Sequence, residues 1–548
     1  MTFLENILNQ LEAGRDVHFL QEIRDGKILS VTGGELLEMV GHARAFLGQR
    51  GLKKGDRCAV LAHNSIRWVA MDLALMAEGM IVVPLYARQA PAELVAMMKD
   101  CSPELICCGD SVLRDGIVQN WPSAPPQHLF DDIFAVRGNV SGNPQLANAD
   151  PVTIIYTSGT SGEAKGVILT AGNITHMVVC TSDRLDLLMD KRIGQDKVYH
   201  YLPFAFAGSW IMLLTCLLRR NLLTLNTDLT KISGEMRGVA PDYFLNVPAL
   251  LERMRKAVDE QIWKTGGIVL SIYSRAKSAW MRKQEKKPKG ADSIWLGLAN
   301  ALVFPAIRKK MIGSNLKALI CGSAPLLPET QLYFMMLSIP VLQVYGLTET
   351  TAICTLDDPK HVVPGRVGPA IPGIEMKLGE NDEIMVRGPN IFPGYWNRPH
   401  ETEKVLRGGW FHTGDQGERD TSGNWRIIGR IKNLIILGSG HNIAPEPIEH
   451  EVLQHLPGAQ QVVLIGNGRG YLSAIITGKV ANEQVQAALD ALNPGLPHYK
   501  QIRAFHVEAE PFSIDNGLLT ANGKLKRDLI ATRLKDAIEE MYRVKQAS

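Results

Sequence analysis

A lysine placed behind a run of hydroxyls and glycines is the first place in this chain where chemistry can be read. The run is Tyr156-Thr157-Ser158-Gly159-Thr160-Ser161-Gly162-Glu163-Ala164-Lys165-Gly166. Glycine lets a backbone approach a ligand closely, and small hydroxyls with exposed N–H groups cradle phosphate oxygens. Lys165 adds a point charge for the same anion. The spacing is not that of a Walker loop, because no Gly-Lys-Ser/Thr ending follows. A Ser/Thr/Gly-rich surface turn is the bland alternative. The apolar β-branched run Val152-Thr153-Ile154-Ile155 just before it reads as a buried strand that would hold the loop.

Five further blocks follow. They are Cys321-Gly322-Ser323-Ala324-Pro325-Leu326, Tyr345-Gly346-Leu347-Thr348-Glu349-Thr350 and Gly409-Trp410-Phe411-His412-Thr413-Gly414-Asp415. Gly429-Arg430-Ile431-Lys432-Asn433 and Asn522-Gly523-Lys524-Leu525-Lys526-Arg527 complete the set. In type and order these blocks, with the loop at 156–166, resemble the adenylate-forming superfamily of acyl-CoA synthetases, luciferases and peptide-synthetase adenylation domains. Its phosphate loop reads YTSGTTG-x-PKG; here Ala164 stands where proline is usual, which removes no ligand-contacting group.

The resemblance implies an ATP site, a Mg²⁺ ion and coenzyme A as acyl acceptor. Thr157, Ser158, Gly159, Thr160, Ser161, Gly162 and Lys165 would close over the phosphates. Gly322, Ser323 and Ala324 would line one face of the adenine, with Tyr345 stacked on the other beside Gly346. Glu349 would hold Mg²⁺, and Thr348 would touch the α-phosphate side. Asp415 would accept hydrogen bonds from the ribose hydroxyls, and Arg430 would reach the ribose or phosphate. Lys524, ordinarily cationic with a pKa of about 10.4, would neutralise the reacting carboxylate. Lys432 would be the hinge, and Gly438, Ser439 and Gly440 the loop that replaces Lys524 when the thioester forms.

The chemistry asked of these groups is consistent. A carboxylate is a poor acyl donor, and transfer of AMP onto it creates a mixed anhydride with a good leaving group. The transition state at the α-phosphate is anionic and in line, so positioning and positive charge matter more than a protein nucleophile.

The elements that must position these residues are those of an α/β protein. A chain of 548 residues exceeds one ordinary core. Strand-like Cys58-Ala59-Val60-Leu61, a helix over 66–77 and a strand from Ile81 alternate, and similar alternation recurs at 196–250 and 314–345, predicting helix-covered, mostly parallel sheets. The resemblance places an adenylation domain over 1–430 and a smaller mobile α+β domain over 431–548, where a helix at 447–454 and strands at 461–465 and 472–476 are expected.

Composition sets outer limits. Hydrophobic residues make up 45% and charged residues 21%, so long disorder is not expected. A net charge of +3 gives no reason to expect nucleic acid as partner. The eight cysteines have no metal-ligand spacing, which fits a reduced, cytoplasmic setting. The N-terminus lacks the basic start and apolar core of a signal peptide. The nearly uncharged segment 201–218 is about long enough to cross a bilayer, but Pro203, Gly208 and Ser209 and its place in the resemblance make it a buried part of the large domain.

Three features point to a long aliphatic acid. Residues 262–313 resemble the insertion of long-chain fatty acyl-CoA synthetases, ending in Val303-Phe304-Pro305-Ala306-Ile307-Arg308-Lys309-Lys310-Met311-Ile312-Gly313. Ser513 to Thr520 resembles that branch's S-x-x-NGLLT block, and the apolar run after Tyr201 is suited to an acyl tunnel. The basic run Arg282 to Lys289 reads as a solvated loop between core helices, or as a contact with an anionic membrane surface. Where relatives carry a histidine in an LPLAH or LPLFH block, this chain has Leu202-Pro203-Phe204-Ala205-Phe206, which puts Phe206 beside the acyl carbonyl. The alternatives left open are a fatty acyl-AMP ligase that loads a carrier protein, an unusual hydroxy acid as substrate, and a nucleotide-binding homologue without catalysis. A peptide-synthetase module is disfavoured, since no carrier-protein sequence follows Ser548.

Overall fold

The computed structural model describes residues 1–138, 140, 146–158, 164–190, 194–313, 315–520 and 523–543. Among them, three sheets form the large N-terminal part. The first has strand order Gln127–Leu129, Leu105–Cys108, Arg57–Leu61, Ile81–Leu85, Pro151–Ser158 and Ala164–Thr170. Its pairings are parallel except the last, an antiparallel hairpin in which Thr157 faces Lys165 and Ser158 faces Ala164. The second sheet has eight strands, with Tyr243–Asn246, Ala318–Cys321 and Val341–Tyr345 running parallel side by side. The third, Glu375–Leu378 to Trp425–Arg430, is antiparallel.

Burial explains the parallel sheets. The strand Ile81–Leu85 is covered on both faces, and its sequence is an unbroken apolar run. The helix Ile66–Ala77 covers one of those faces with every residue but Arg67 buried. Ser65 starts it by accepting the Trp68 N–H on its side chain, the usual way to satisfy an orphan donor at a helix N-terminus. One continuous core links the first two sheets through Trp68, Trp210 and Phe204.

The segment 201–218 is a loop followed by the helix Ala207–Leu218, of twelve residues. No helix among the described residues is long and apolar enough to cross a membrane. Residues 262–313 contribute the helices Gly267–Gln284, Asp292–Leu302 and Phe304–Met311, packed on a second core around Tyr273, Phe304 and Phe334. The helix Asp292–Leu302 departs from the core helix expected there, because much of its surface faces outward.

The C-terminal part has its own core and a sheet of Ala459–Ile465, Leu472–Gly478 and Ile502–Glu508, the first pair antiparallel and the second parallel. The helix Pro445–His455 packs on it. Polar contacts that tie it to the large part among the described residues include Lys526 Nζ to Glu93 at 3.6 Å and Gln454 Nε2 donating to Glu329 at 2.9 Å. Both reach solvent, as do pairs of the kind worth about 0–1 kcal/mol each.

Candidate active site

Several of the expected site residues, Gly322, Ser323, Gly346, Thr348 and Glu349 among them, gather where the parallel strands end, the customary ligand position of α/β sheets. Cys321-Gly322-Ser323 leaves the strand Ala318–Cys321, and Gly346 to Glu349 leaves the adjacent strand Val341–Tyr345. A Cβ at Gly346 would lie 2.2 Å from the Ala352 carbonyl oxygen, so only glycine lets this turn close. Ser323, Thr351 and Ala352 adopt positive φ of 74°, 52° and 81°. Non-glycine residues carry strain there, and it clusters where the two loops face the cleft.

Glu349 sits in a single 3₁₀ turn, Thr348–Thr350. The Tyr395 hydroxyl donates to its Oε1 at 2.8 Å, and Oε2 has no partner among the described residues. A carboxylate fixed through one oxygen and open through the other suits Mg²⁺, which takes one or two protein carboxylates and completes its shell with phosphate and water. No cluster of three or more potential metal-ligating side chains occurs among the described residues. The donor set therefore fits an ion held partly by substrate.

Asp415 and Arg430 face each other across the antiparallel pair Trp410–Arg419 and Trp425–Arg430. Arg430 Nε is 2.9 Å from Asp415 Oδ1, and the Tyr345 hydroxyl donates to Oδ2 at 2.8 Å. Asp415 is buried, and burial raises its pKa against the pull of Arg430. Burial works against the Arg430 charge, but Asp415 and then Tyr345 and Glu349 outweigh it and hold the guanidinium above its usual value. Tyr345 is packed among Cys354, Ile384, Val386 and Trp425 with its hydroxyl bracing Asp415, and both residues lie just behind the groups that line the cleft. Ala324 likewise lies outside the cleft wall, whereas Gly322 and Ser323 form part of it.

Lys165 stands near the loop end of its hairpin, opposite Thr157, pairing with Glu401 at 2.5 Å and lying over the Tyr395 ring at 5.3 Å. Lys165 and then Lys404 hold Glu401 down at about 2. Gly159, Thr160, Ser161 and Gly162, expected at the hairpin tip, lie outside the described residues, as does Asn522; Ser158 is described through its backbone pairing with Ala164.

The C-terminal part supplies two more cations. Lys524 borders the same cleft; its side chain is open to cleft solvent, yet protein crowds it on the other sides. That burial lowers its pKa, Arg430 adds to the effect, and Asp415 and Glu349 oppose it. Lys432 is lowered to about 8, chiefly by burial and then by Arg430. Gly438, Ser439 and Gly440 are exposed and do not border the cleft. There, Ser439 Oγ and His441 Nδ1 are 2.9 Å apart, and His441 stacks on Tyr499.

The cleft, about 2070 Å³, is lined both by these charged groups and by a set of apolar side chains. Phe206 lines it and packs on Tyr86 with ring centroids 5.4 Å apart; Ile211, Met212, Leu342 and Val344 continue the wall. Behind Phe206, buried His200 stacks on Phe204 and meets Ser209 Oγ at 2.6 Å. Burial lowers its pKa to about 4, so it is a neutral brace for the loop.

Comparison with known proteins gives this arrangement its family. The AMP-binding enzyme family model matches residues 13–396, and the AMP-binding enzyme C-terminal domain model matches 432–546. The chain belongs to the AMP-binding enzymes. A long-chain-fatty-acid–CoA ligase of Mycobacterium bovis is 24% identical, covering 96% of this chain and 94% of its own. One from Rattus norvegicus is 26% identical over 94% and 88%. Among solved structures, ATP-bound MatB from Rhodopseudomonas palustris matches with a TM-score of 0.75 at 23% identity, covering 98% of this chain and all of that one. O-succinylbenzoate–CoA synthetase from Bacillus subtilis with AMP matches equally well, at 19% identity over 96% and 97%. This AMP-binding enzyme thus resembles acid–CoA ligases and synthetases over nearly its whole length.

Tyr395 and Glu401 are the site residues that sequence reasoning missed. They lie in Gly394-Tyr395-Trp396-Asn397-Arg398-Pro399-His400-Glu401, where Trp396 N–H donates to Gly166 O at 2.7 Å and ties the segment to the hairpin. A Gly-aromatic-aromatic-Asn turn running into Pro399 at a helix start was the available signal.

Proposed function

We propose that this enzyme activates a long-chain fatty acid with ATP, releasing pyrophosphate, and then passes the acyl group from the adenylate to coenzyme A. The observation that carries the reading is the meeting of Lys524, Glu349, Lys165 and Arg430, the last held by buried Asp415, around one cleft that also has an apolar wall. The relatives named long-chain-fatty-acid–CoA ligases along nearly the full chain support the acid class.

In this reading Lys165 leaves Glu401 for the phosphates, and Thr348 and Thr157 approach them with their hydroxyls. Glu349 would hold Mg²⁺, which when bound would supply positive charge to the phosphates. Asp415 holds the ribose diol, oriented by Tyr345 and Arg430, while Gly322 and Ser323 lie against the base beside Gly346. Lys524 donates to the acid's carboxylate and the bridging oxygen as the new P–O bond forms and pyrophosphate leaves. The acyl chain runs past Phe206 toward Met212. The boundary between the adenylation and C-terminal domains falls after Arg430, and the C-terminal domain turns about Lys432 to bring Gly438-Ser439-Gly440 to the adenylate for attack by the thiol.

Mass spectrometry of products from ATP, Mg²⁺ and acids of six to twenty carbons, with and without coenzyme A, tests the assignment. Acyl-CoA formation that rises about fourfold per added methylene until the tunnel is full is expected, from about 0.8 kcal/mol per buried CH₂. Adenylate that accumulates without thioester would assign a carrier protein or another acceptor instead. A preference for short or aromatic acids would overturn the acid class.

A further inference from the structure

The helix Asp292–Leu302 turns its apolar side outward. Ile294, Leu298 and Leu302, spaced four apart, are 63%, 38% and 64% exposed. Gly297 and Ala301 fall on the same stripe and are also exposed. Residues at i, i+4 and i+8 share one helix face, so Ile294 to Leu302 make a continuous apolar strip about 12 Å long. The other side is anchored: Ala299 is buried, Trp295 lies under the Arg275 guanidinium, and Asp292 binds Arg282. The helix is therefore held firmly with its greasy side out. Nearby on the neighbouring helices, Trp263 and Ile268 are exposed as well.

Charge brackets the strip. Lys283, Lys286, Lys287 and Lys289 precede it, and Arg308, Lys309 and Lys310 follow. Between positions 283 and 310 the acidic residues are Glu285 and Asp292, the latter already paired. None of the six lysines pairs with a carboxylate among the described residues, and all six are exposed. A fixed apolar helix face between two cation clusters is what an interfacial helix needs: side chains sink to the acyl boundary while lysines meet anionic headgroups. A second copy of the chain would fit poorly, because two-fold pairing of this face would set the two cation clusters against their own kind.

We propose that the outer face of the helix Asp292–Leu302, with the lysines at 283–289 and the cations at 308–310, docks this protein on an anionic bilayer surface. The proposal is independent of which acid the cleft takes.

Vesicle flotation of the full-length protein at about 0.1 M salt tests it. Binding is expected to vesicles containing one-third phosphatidylglycerol and not to phosphatidylcholine alone, with loss at about 0.5 M salt. Lys286→Glu with Lys287→Glu, both on an exposed loop, is expected to weaken partitioning by about fivefold per lysine. Leu298→Ser with Leu302→Ser is expected to weaken it at least tenfold, with unchanged circular dichroism and adenylate formation from octanoate. Absence of flotation with any vesicle, or flotation indifferent to both double variants, overturns the proposal. So does a dimer by light scattering that the Leu298→Ser, Leu302→Ser variant dissolves, since the face would then belong to a second copy.

Discussion

Replacing Lys524 by alanine separates the two half-reactions. Lys524 reaches the cleft from the C-terminal part and shares the field of Arg430, Asp415 and Glu349. At about 4 Å and an effective dielectric of about 20, one unit charge on an anionic transition state is worth about 4 kcal/mol. The opening of the lysine to cleft solvent reduces this, so a loss of about 3 kcal/mol, or about 10²-fold in adenylation rate, is the working value. The assay is single-turnover: acyl-AMP formed from ATP and palmitate by quenched flow, against acyl-CoA formed from chemically made palmitoyl-AMP. Lys524→Ala is expected to slow the first about a hundredfold and leave the second within about threefold. The wild-type rate carries a second signature. Burial lowers the Lys524 pKa, and the ammonium is the active form, so adenylation declines on the alkaline side at a pH below that of an ordinary lysine. That limb disappears in the alanine variant. Equal losses in both half-reactions, or an alkaline limb unchanged in Lys524→Ala, would refute the assignment.

Glu349→Gln is expected to raise the Mg²⁺ concentration for half-maximal adenylation at least tenfold, read by metal titration at fixed ATP, with Tyr395→Phe shifting it by a smaller factor. Tyr345→Phe removes one donor from a buried carboxylate and is expected to cost about 1–2 kcal/mol of ATP affinity by calorimetry while leaving palmitate binding unchanged. Phe206→Ala opens the wall against Tyr86 and is expected to shift kcat/KM toward branched acids over straight ones, measured by competition between the two. Asp72 is fully buried with Trp210 Nε1 donating to Oδ2, and burial raises its pKa from 3.8 to about 7. Between those values the folded chain holds a proton that the unfolded chain has released, so this group makes stability fall as pH rises from about 4 to about 7 and contributes no slope above. Asp72→Asn is expected to flatten that fall by about 2–4 kcal/mol in urea unfolding across the range.

What was legible in the sequence was local. The helix at 66–77 and the strand from Ile81 stand where the alternation of helical and strand-like patterns places them. The six blocks were legible through their resemblance, in type and order, to those of the adenylate-forming superfamily. Long-range pairing was not. Tyr395 meets Glu349 across 46 residues and Glu401 meets Lys165 across 236, and no window of sequence contains either pair. The antiparallel third sheet was hidden for another reason: its strand Trp410–Arg419 alternates buried and half-exposed residues around glycines, a weaker pattern than the solid apolar runs of the parallel strands. The helix Asp292–Leu302 reads as core because an apolar run does not tell which of its faces is covered.

The positions of the two C-terminal loops argue that one arrangement serves only half the reaction. Lys524 borders the cleft, whereas Gly438-Ser439-Gly440, some eighty-five residues earlier, lies in solvent away from it. Both loops belong to the C-terminal part, whose polar ties to the large part include the solvent-reaching pairs Lys526–Glu93 and Gln454–Glu329. In the two-step reaction proposed above, turning that part would withdraw a cation from the site, at a cost while phosphates remain and at little cost once pyrophosphate has gone. Lys432, lowered to about 8 by burial and then by Arg430, would gain by leaving the same crowded field. Product release would then remove the anions that hold Lys524, and electrostatics alone would favour the rotation proposed to present the glycine loop.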